Sequence, residues 1–346
     1  MTAAVHATPR PVRIASEPPE ARGLSRDDVR LLVATRAGVT HAAFRDLAGF
    51  LEPGDLVVVN TSGTLAAAVD GERAGRRVTV HLSSALADGS WAAELRPGRR
   101  ATGPLHDVAP GDTVLLAHGR LHVLEPYPEP AATPAATRLW RCLLVVPGPV
   151  PDYLARHGRP IAYSYVPDDW PLASYQTVFA RHPGSAEMPS AGRPFTDRLV
   201  TDLATAGVPV APVTLHTGVS SLEEGEAPLP EPFSVPATTA DLVNHTRAGG
   251  GRVVAVGTTV ARALETCADP DGTVHADHGW TDLVLGPARP ARVVTGLVTG
   301  WHDDGGSHLR LLSAVAGDGL VAAAYAEARA EGYLWHELGD AALLLP

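Results

Sequence analysis

The chain has 346 residues, 45% hydrophobic and 19% charged, enough to bury one large core or two ordinary ones. All 28 cationic side chains are arginine, which excludes a lysine Schiff base and a lysine-dependent P-loop. The formal charge of −10 opposes general attraction to nucleic acid, because such attraction rests on neutralising phosphates. No run of about 18 apolar residues is present to cross a bilayer, and the N-terminus lacks the charged, apolar and small-residue succession of a secretory signal, so a cytoplasmic globular enzyme without membrane attachment is expected. Cys142 and Cys267 are too few for a disulfide framework or a cysteine-rich zinc site, and both are expected to be buried thiols.

In chain order, a Pro-rich start leads to RLLVATR and DLVVVN, short β-branched runs that predict strands, with Gly54-Asp55 as the turn before the second. From about 71 to 150 the pieces RVTVHL, WAAELRPG, DTVLLA, RLHVLE and LWRCLLVV alternate with Gly, Pro and Asp, the pattern of a small β-barrel or sandwich. The Pro- and Ala-rich stretch from Tyr127 to Thr137 reads as a long hairpin loop within it. After about 151 the texture is α/β: a helix over Thr196–Ala206 before the strand VPVAPVTLH, and a helix over Thr239–Ala248 before the strand RVVAVG. The expected architecture is an α/β main domain, residues 1–70 plus 151–346, with a small β-barrel domain inserted at 71–150.

The strongest local site signal is AVGTTVARALE, a buried strand, then Gly257-Thr258-Thr259, then a helix carrying Arg262 and Glu265. Such a turn presents backbone N–H groups and hydroxyls to a polar ligand, and the helix N-terminus favours a carboxylate; the bland alternative is that the threonines only cap the helix. The run lacks the GxGxxG spacing of a dinucleotide site, so a dehydrogenase is rejected. Arginines at Arg73 to Arg77 and Arg96 to Arg100 are candidates for a local nucleic-acid patch, against the bland reading of solvated turns.

Several such pieces occur in an order that resembles one family. SYQTVFA at Ser174–Ala180 is similar to YQTVYA, EMPSAGRPF at Glu187–Phe195 to APTAGLHF, and TLHTG at Thr214–Gly218 to TLHVG. AVGTTVARALE is similar to AVGTTSVRTLE, VTGWH to LTNFH, SAVAG at Ser313–Gly317 to SAFAG, LGDA at Leu338–Ala341 to YGDA, and LEPGDLVVVNTS to LKPGDLLVLNDT. On these collinear motifs the chain resembles the S-adenosylmethionine:tRNA ribosyltransferase-isomerases of queuosine synthesis, as a divergent member.

The resemblance implies the same two-domain plan. It also implies a reaction in which S-adenosylmethionine donates its ribosyl group to a 7-aminomethyl-7-deazaguanine base in tRNA, releasing adenine and methionine and forming an epoxycyclopentanediol. The sulfonium supplies the electrophile, so no metal is expected. The protein must manage protons at the acceptor amine, at the carbon beside the sulfonium and at departing adenine. His216 and His302 match family histidines and are the acid–base candidates; Glu231, in PLPE where the family has MHSE, is a third. Tyr175 and Gln176 are candidates to hold adenine or ribose, although an aromatic there is equally a core residue. With them, Gly257, Thr258, Thr259 and Arg262 complete the expected S-adenosylmethionine site. The departures are polar: Pro194 and Leu229 stand where histidines are expected, Arg193 replaces a leucine, Gly63 and Ala68 replace two arginines, and Asp303 and Asp304 replace an apolar pair. They raise two alternatives, a small-molecule acceptor or a catalytically silent binding homologue.

Overall fold

The computed structural model describes residues 11–98, 103–128, 137–219, 229–302 and 307–346. Its main sheet has nine strands in the order Asp277–Thr281, Glu231–Val235, Val210–Leu215, Leu56–Asn60, Val253–Val256, Gly296–Gly300, Ala341–Leu345, Arg30–Thr35 and Gly38–Ala43. The four from Val210–Leu215 to Gly296–Gly300 are mutually parallel.

Both faces of this sheet are covered, and that is why LVVVN is an unbroken apolar run. Leu56 and Val58 face a core shared with Ala240 and Val243 of helix Ala237–Ala248, with Val260 and Leu264 of helix Thr258–Thr266, and with the two C-terminal helices. Val57 and Val59 face the other layer, with Phe44, Leu47, and Leu199 and Leu203 of helix Asp197–Thr205. The latter helix starts one residue inside the expected span, because Thr196 is its N-cap and accepts from Leu199 N–H at 3.2 Å. The helix expected from Thr239 starts at Ala237, directly after Pro236, whose ring presets the first turn. No single helix among the described residues is long and apolar enough to cross a membrane.

Six antiparallel strands form the barrel: Ala68–Arg73, Arg76–Ala85, Trp91–Arg96, Leu139–Val145, Gly119–Pro126 and Thr113–Leu116. It closes where Gly71 and Glu72 pair with Leu116 and Leu115. The first barrel strand begins at Ala68, ahead of the expected boundary at 71, and Gly158–Arg159 adds to it from beyond 150. Ala66 to Val69 are all buried, so no alternation in the sequence marks that entry. Of the loop expected over Tyr127–Thr137, residues 129–136 lie outside the described residues. Cys142 and Cys267 are buried, and burial pushes both thiols up to about 12.

Val78, Val80 and Leu82 point into the barrel core, as do Trp91, Ala93 and Leu95. The opposite wall, with Thr79, His81, Glu94 and Arg96, is also buried, and its polar groups other than His81 Nδ1 are met within the chain. Arg138 donates to Glu94 at 2.8 Å, Arg96 also pairs with Glu94 and lies 5.8 Å from the Tyr163 ring, and Val219 N–H donates to Ser83 at 2.9 Å. Arg96 is therefore not a phosphate-facing arginine: at 4% exposure it belongs to this internal network. Arg73 is likewise held by Asp107 and Asp112, and Arg99 and Arg100 lie outside the described residues.

His81 is 1% exposed, and its Nδ1 meets no hydrogen-bond partner among the described residues. Burial, then Arg96 and Arg159, against a smaller opposite effect of Asp70, lower its pKa to about 3. The unfolded chain takes up this proton below about pH 6.5, whereas the folded ring resists until about 3, so falling pH works against folding across that window. One proton corresponds to about 1.4 kcal/mol per pH unit. Urea unfolding of His81→Gln between pH 7 and pH 4 is expected to show a pH slope shallower than wild type by about one proton; an unchanged slope would contradict this account.

Candidate functional site

The four parallel strands end at Leu215, Asn60, Val256 and Gly300, and are followed by His216, Thr61-Ser62, Gly257-Thr258 and Trp301-His302. Open α/β sheets bind ligands at this carboxyl edge. Asn60, 4% exposed, organises it. Its carbonyl accepts from Ser62 N–H at 3.0 Å and Leu215 N–H at 3.1 Å, while its amide donates to Leu215 O at 2.8 Å and Thr259 Oγ1 at 3.2 Å. The sequence reading did not single out Asn60. A polar residue closing a wholly apolar strand was the available signal.

His216 follows strand Val210–Leu215 with its backbone N–H bonded to Pro232 O at 3.0 Å. Its Nδ1 lies 2.7 Å from Ser62 Oγ, which lies 2.6 Å from Ser185 Oγ. The ring rests on Gly184: a Cβ there would come within 2.5 Å of Nδ1, so only glycine seats the imidazole in this position. Burial, and secondarily His182, lower the His216 pKa and favour the neutral ring.

Gly257 turns the chain from strand to helix at φ 93°, and its N–H bonds to Val298 O at 2.8 Å. A residue with a Cβ is strained at that φ. Thr258 opens the helix, and Thr259 is the hydroxyl that receives Asn60. Four residues along the same helix, Arg262 turns away from this turn toward the sheet edge. It pairs with Glu231 and donates to the carbonyls of Leu283 at 3.1 Å, Thr281 at 3.2 Å and Leu229 at 3.4 Å. All its nitrogens are thus engaged within the chain. Glu231 also accepts from Gly218 N–H at 3.1 Å, two residues beyond His216. Burial raises the Glu231 pKa, and Arg262 and the Gly218 amide pull against it.

His302 lies beside His308, ring centroids 4.3 Å apart, with His336 at 6.2 Å. His308 is bonded to Thr299 at 3.4 Å and is held well below the usual histidine range by burial and by His302. A small cavity lined by Ser190, Ala191, Pro194, Gly300, His336 and Glu337 opens at this end. Asp303 and Asp304 lie outside the described residues.

Tyr175 sits in a small apolar cluster with Ala15, Val166, Met188 and Leu338, and its carbonyl accepts from Thr64 at 2.7 Å. Gln176 pairs with the Thr64 backbone through both amide atoms, at 3.0 and 2.8 Å, like one more strand residue. Both therefore act first as supports of strand Ser62–Thr64. Arg193 is buried and bonded to Ser174 O and Glu20, both at 2.8 Å, so this departure has its own partner in the N-terminal segment.

Fold and site together define an α/β scaffold with a β-barrel that gathers histidines, hydroxyls and a helix N-terminus at the carboxyl edge of a parallel sheet. The Queuosine biosynthesis protein family matches residues 9–344, and the chain belongs to that family. It is 35% identical to the S-adenosylmethionine:tRNA ribosyltransferase-isomerase of Moorella thermoacetica over 97% of each chain. It is 37% identical to the enzyme of the same name from Acidiphilium cryptum over 96% of each. The solved S-adenosylmethionine tRNA ribosyltransferase of Thermotoga maritima matches with a TM-score of 0.52 at 29% identity, covering 98% of this chain and 99% of that one.

Removing one member of a buried ion pair strands the other, at a cost of about 3 to 5 kcal/mol. Arg262→Met is expected to lose stability on that scale in urea titration, and Glu231→Gln combined with Arg262→Met to recover a large part of it. Loss of ligand affinity without loss of stability in Arg262→Met would instead make Arg262 a ligand-binding residue.

Proposed function

We propose that this chain is the enzyme its family resemblance implies: a transferase-isomerase that moves the ribosyl group of S-adenosylmethionine onto a 7-aminomethyl-7-deazaguanine base in tRNA and isomerises it, forming epoxyqueuosine. One observation carries the reading at the level of the site. His216, the Gly257-Thr258 helix start and His302 all leave the same carboxyl edge of one run of four parallel strands, where one ligand can meet them together.

In this reading the start of helix Thr258–Thr266 receives the methionine carboxylate, through backbone N–H groups and the Thr258 hydroxyl. Arg262 belongs to the same site as the residue that anchors this helix. Tyr175 and Gln176 shape the ribosyl and adenine side from behind strand Ser62–Thr64. His216 and His302 face the atoms that exchange protons or gain charge, with Glu231 third, behind the His216 loop. The sulfonium is itself the leaving group, so these side chains manage protons and charge without a metal. Near-full-length identity to enzymes named for tRNA favours tRNA over a small-molecule acceptor and over a silent homologue. We place the enzyme in the cytoplasm, and take the barrel as a domain inserted into the α/β domain.

Incubation with S-adenosylmethionine and tRNA bearing the aminomethyl-deazaguanine base is expected to release adenine and methionine in equal amounts, with a matching mass gain on the tRNA. Release with the free base but not with the tRNA would overturn the tRNA reading. His302→Asn is expected to lower kcat by about a hundredfold to ten-thousandfold, the usual range for a lost acid–base group; an unchanged kcat would remove His302 from the mechanism.

A further inference from the structure

His216 stands at the end of a hydroxyl chain whose other end offers a donor and no acceptor. The backbone N–H of Thr217 can only donate, and it donates to Ser185 Oγ at 3.0 Å. Ser185 Oγ lies 2.6 Å from Ser62 Oγ, and Ser62 Oγ lies 2.7 Å from His216 Nδ1. Ser185 and Ser62 are 0% and 1% exposed. Among the described residues, neither hydroxyl has a further acceptor.

Two proton arrangements satisfy these distances. In the first, Ser185 donates to Ser62 and Ser62 donates to Nδ1, so the neutral ring carries its proton on Nε2. In the second, Nδ1–H donates to Ser62 and Ser62 donates to Ser185. Ser185 then accepts twice and its own hydroxyl proton is left without an acceptor in a fully buried place. A buried polar group left unsatisfied is disfavoured, so the first arrangement wins by roughly fivefold to more than a hundredfold. We propose that Ser62 and Ser185 are positioning residues that lock His216 as the Nε2–H tautomer, making the ring a fixed hydrogen-bond donor to the substrate and not its proton-accepting base.

The role follows from the proton count. With Nδ1 occupied as an acceptor and Nε2 already protonated, the neutral ring has no free lone pair to offer the substrate. The chain ends in a backbone amide, so it cannot deliver a replacement proton either. His216 therefore stabilises an oxygen or nitrogen that gains negative charge, without net proton transfer, and proton removal falls to another group. Asn60 supports the geometry from both sides, since its carbonyl holds the N–H of Ser62 and of Leu215, the residue before His216. A neutral donor is also what the burial of this ring favours.

This inference rests on the proposed reaction for its catalytic meaning, but its tautomer is measurable without turnover. Nitrogen-15 NMR of histidine-labelled full-length protein near neutral pH, with His216→Gln used to assign the signal, is expected to show an unprotonated Nδ1 and a protonated Nε2. An Nδ1–H tautomer or a fast mixture would overturn the proposal, even if wild type releases adenine from S-adenosylmethionine with the tRNA. Ser62→Ala is expected to release the ring into a tautomer mixture and to lower kcat about tenfold with little change in KM for S-adenosylmethionine, with Ser62→Thr restoring both. A Ser62→Ala enzyme that loses kcat while keeping the wild-type tautomer signal would also overturn it. An Nε2–H signal in a protein that releases no adenine with the tRNA would support the tautomer and count against the proposed reaction alone.

Discussion

Asn60 ends the central strand with an amide that satisfies four groups at once: the N–H and C=O of Leu215 on one neighbouring strand, the N–H of Ser62, and the hydroxyl of Thr259 on the helix that follows the other neighbour. Parallel strands diverge at their carboxyl ends, where the ladder stops and the backbone groups need new partners. One short, rigid side chain supplies them here. The His216 turn, the Ser62 hydroxyl and the start of helix Thr258–Thr266 are therefore set relative to one another by a single residue, and a catalytic constellation tolerates little looseness at that level.

Buried charge does the same work one layer further out. A buried carboxylate is costly unless ion-paired or fully hydrogen-bonded, so each one dictates what must surround it. Glu231 brings strand Glu231–Val235 to helix Thr258–Thr266 through Arg262, and fixes the Gly218 amide just after His216. Glu265, one turn along that helix and fully buried, accepts from the N–H groups of Arg292, Val293 and Val294. Those residues lead into strand Gly296–Gly300, which delivers His302. One helix thus reaches the segments around both histidine-bearing turns through two carboxylate contacts, with Arg262 and Glu265 engaged within the chain.

The elements that were legible in the sequence are those whose burial is two-sided or strictly alternating. LVVVN and RVVAVG read as central strands because both their faces are covered, and RVTVHL and WAAELR read as barrel strands because hydrophobic and polar residues alternate. In the second case the alternation hid a fact. His81, Glu94 and Arg96 occupy the polar positions of that alternation, yet that wall is buried against the rest of the chain, and only the tertiary structure supplies the partners of Glu94 and Arg96. Ser62 and Ser185 were illegible for a related reason. They are 123 residues apart and meet only because strands Ser62–Thr64 and His182–Ser185 pair. Gly184 follows Pro183, a pair that reads as a turn, and its meaning is the space occupied by the His216 ring.

The arginines show where cationic charge has gone in a chain with a net charge of −10. Arg73, Arg96, Arg138, Arg193, Arg252, Arg262 and Arg289 are each paired with a carboxylate. An arginine committed to an internal carboxylate contributes little to phosphate binding, because its charge is already neutralised and its fork of donors is filled. Loss of family arginines at Gly63 and Ala68 points the same way. Ala68 is a buried barrel residue, with no room for a guanidinium without moving its neighbours.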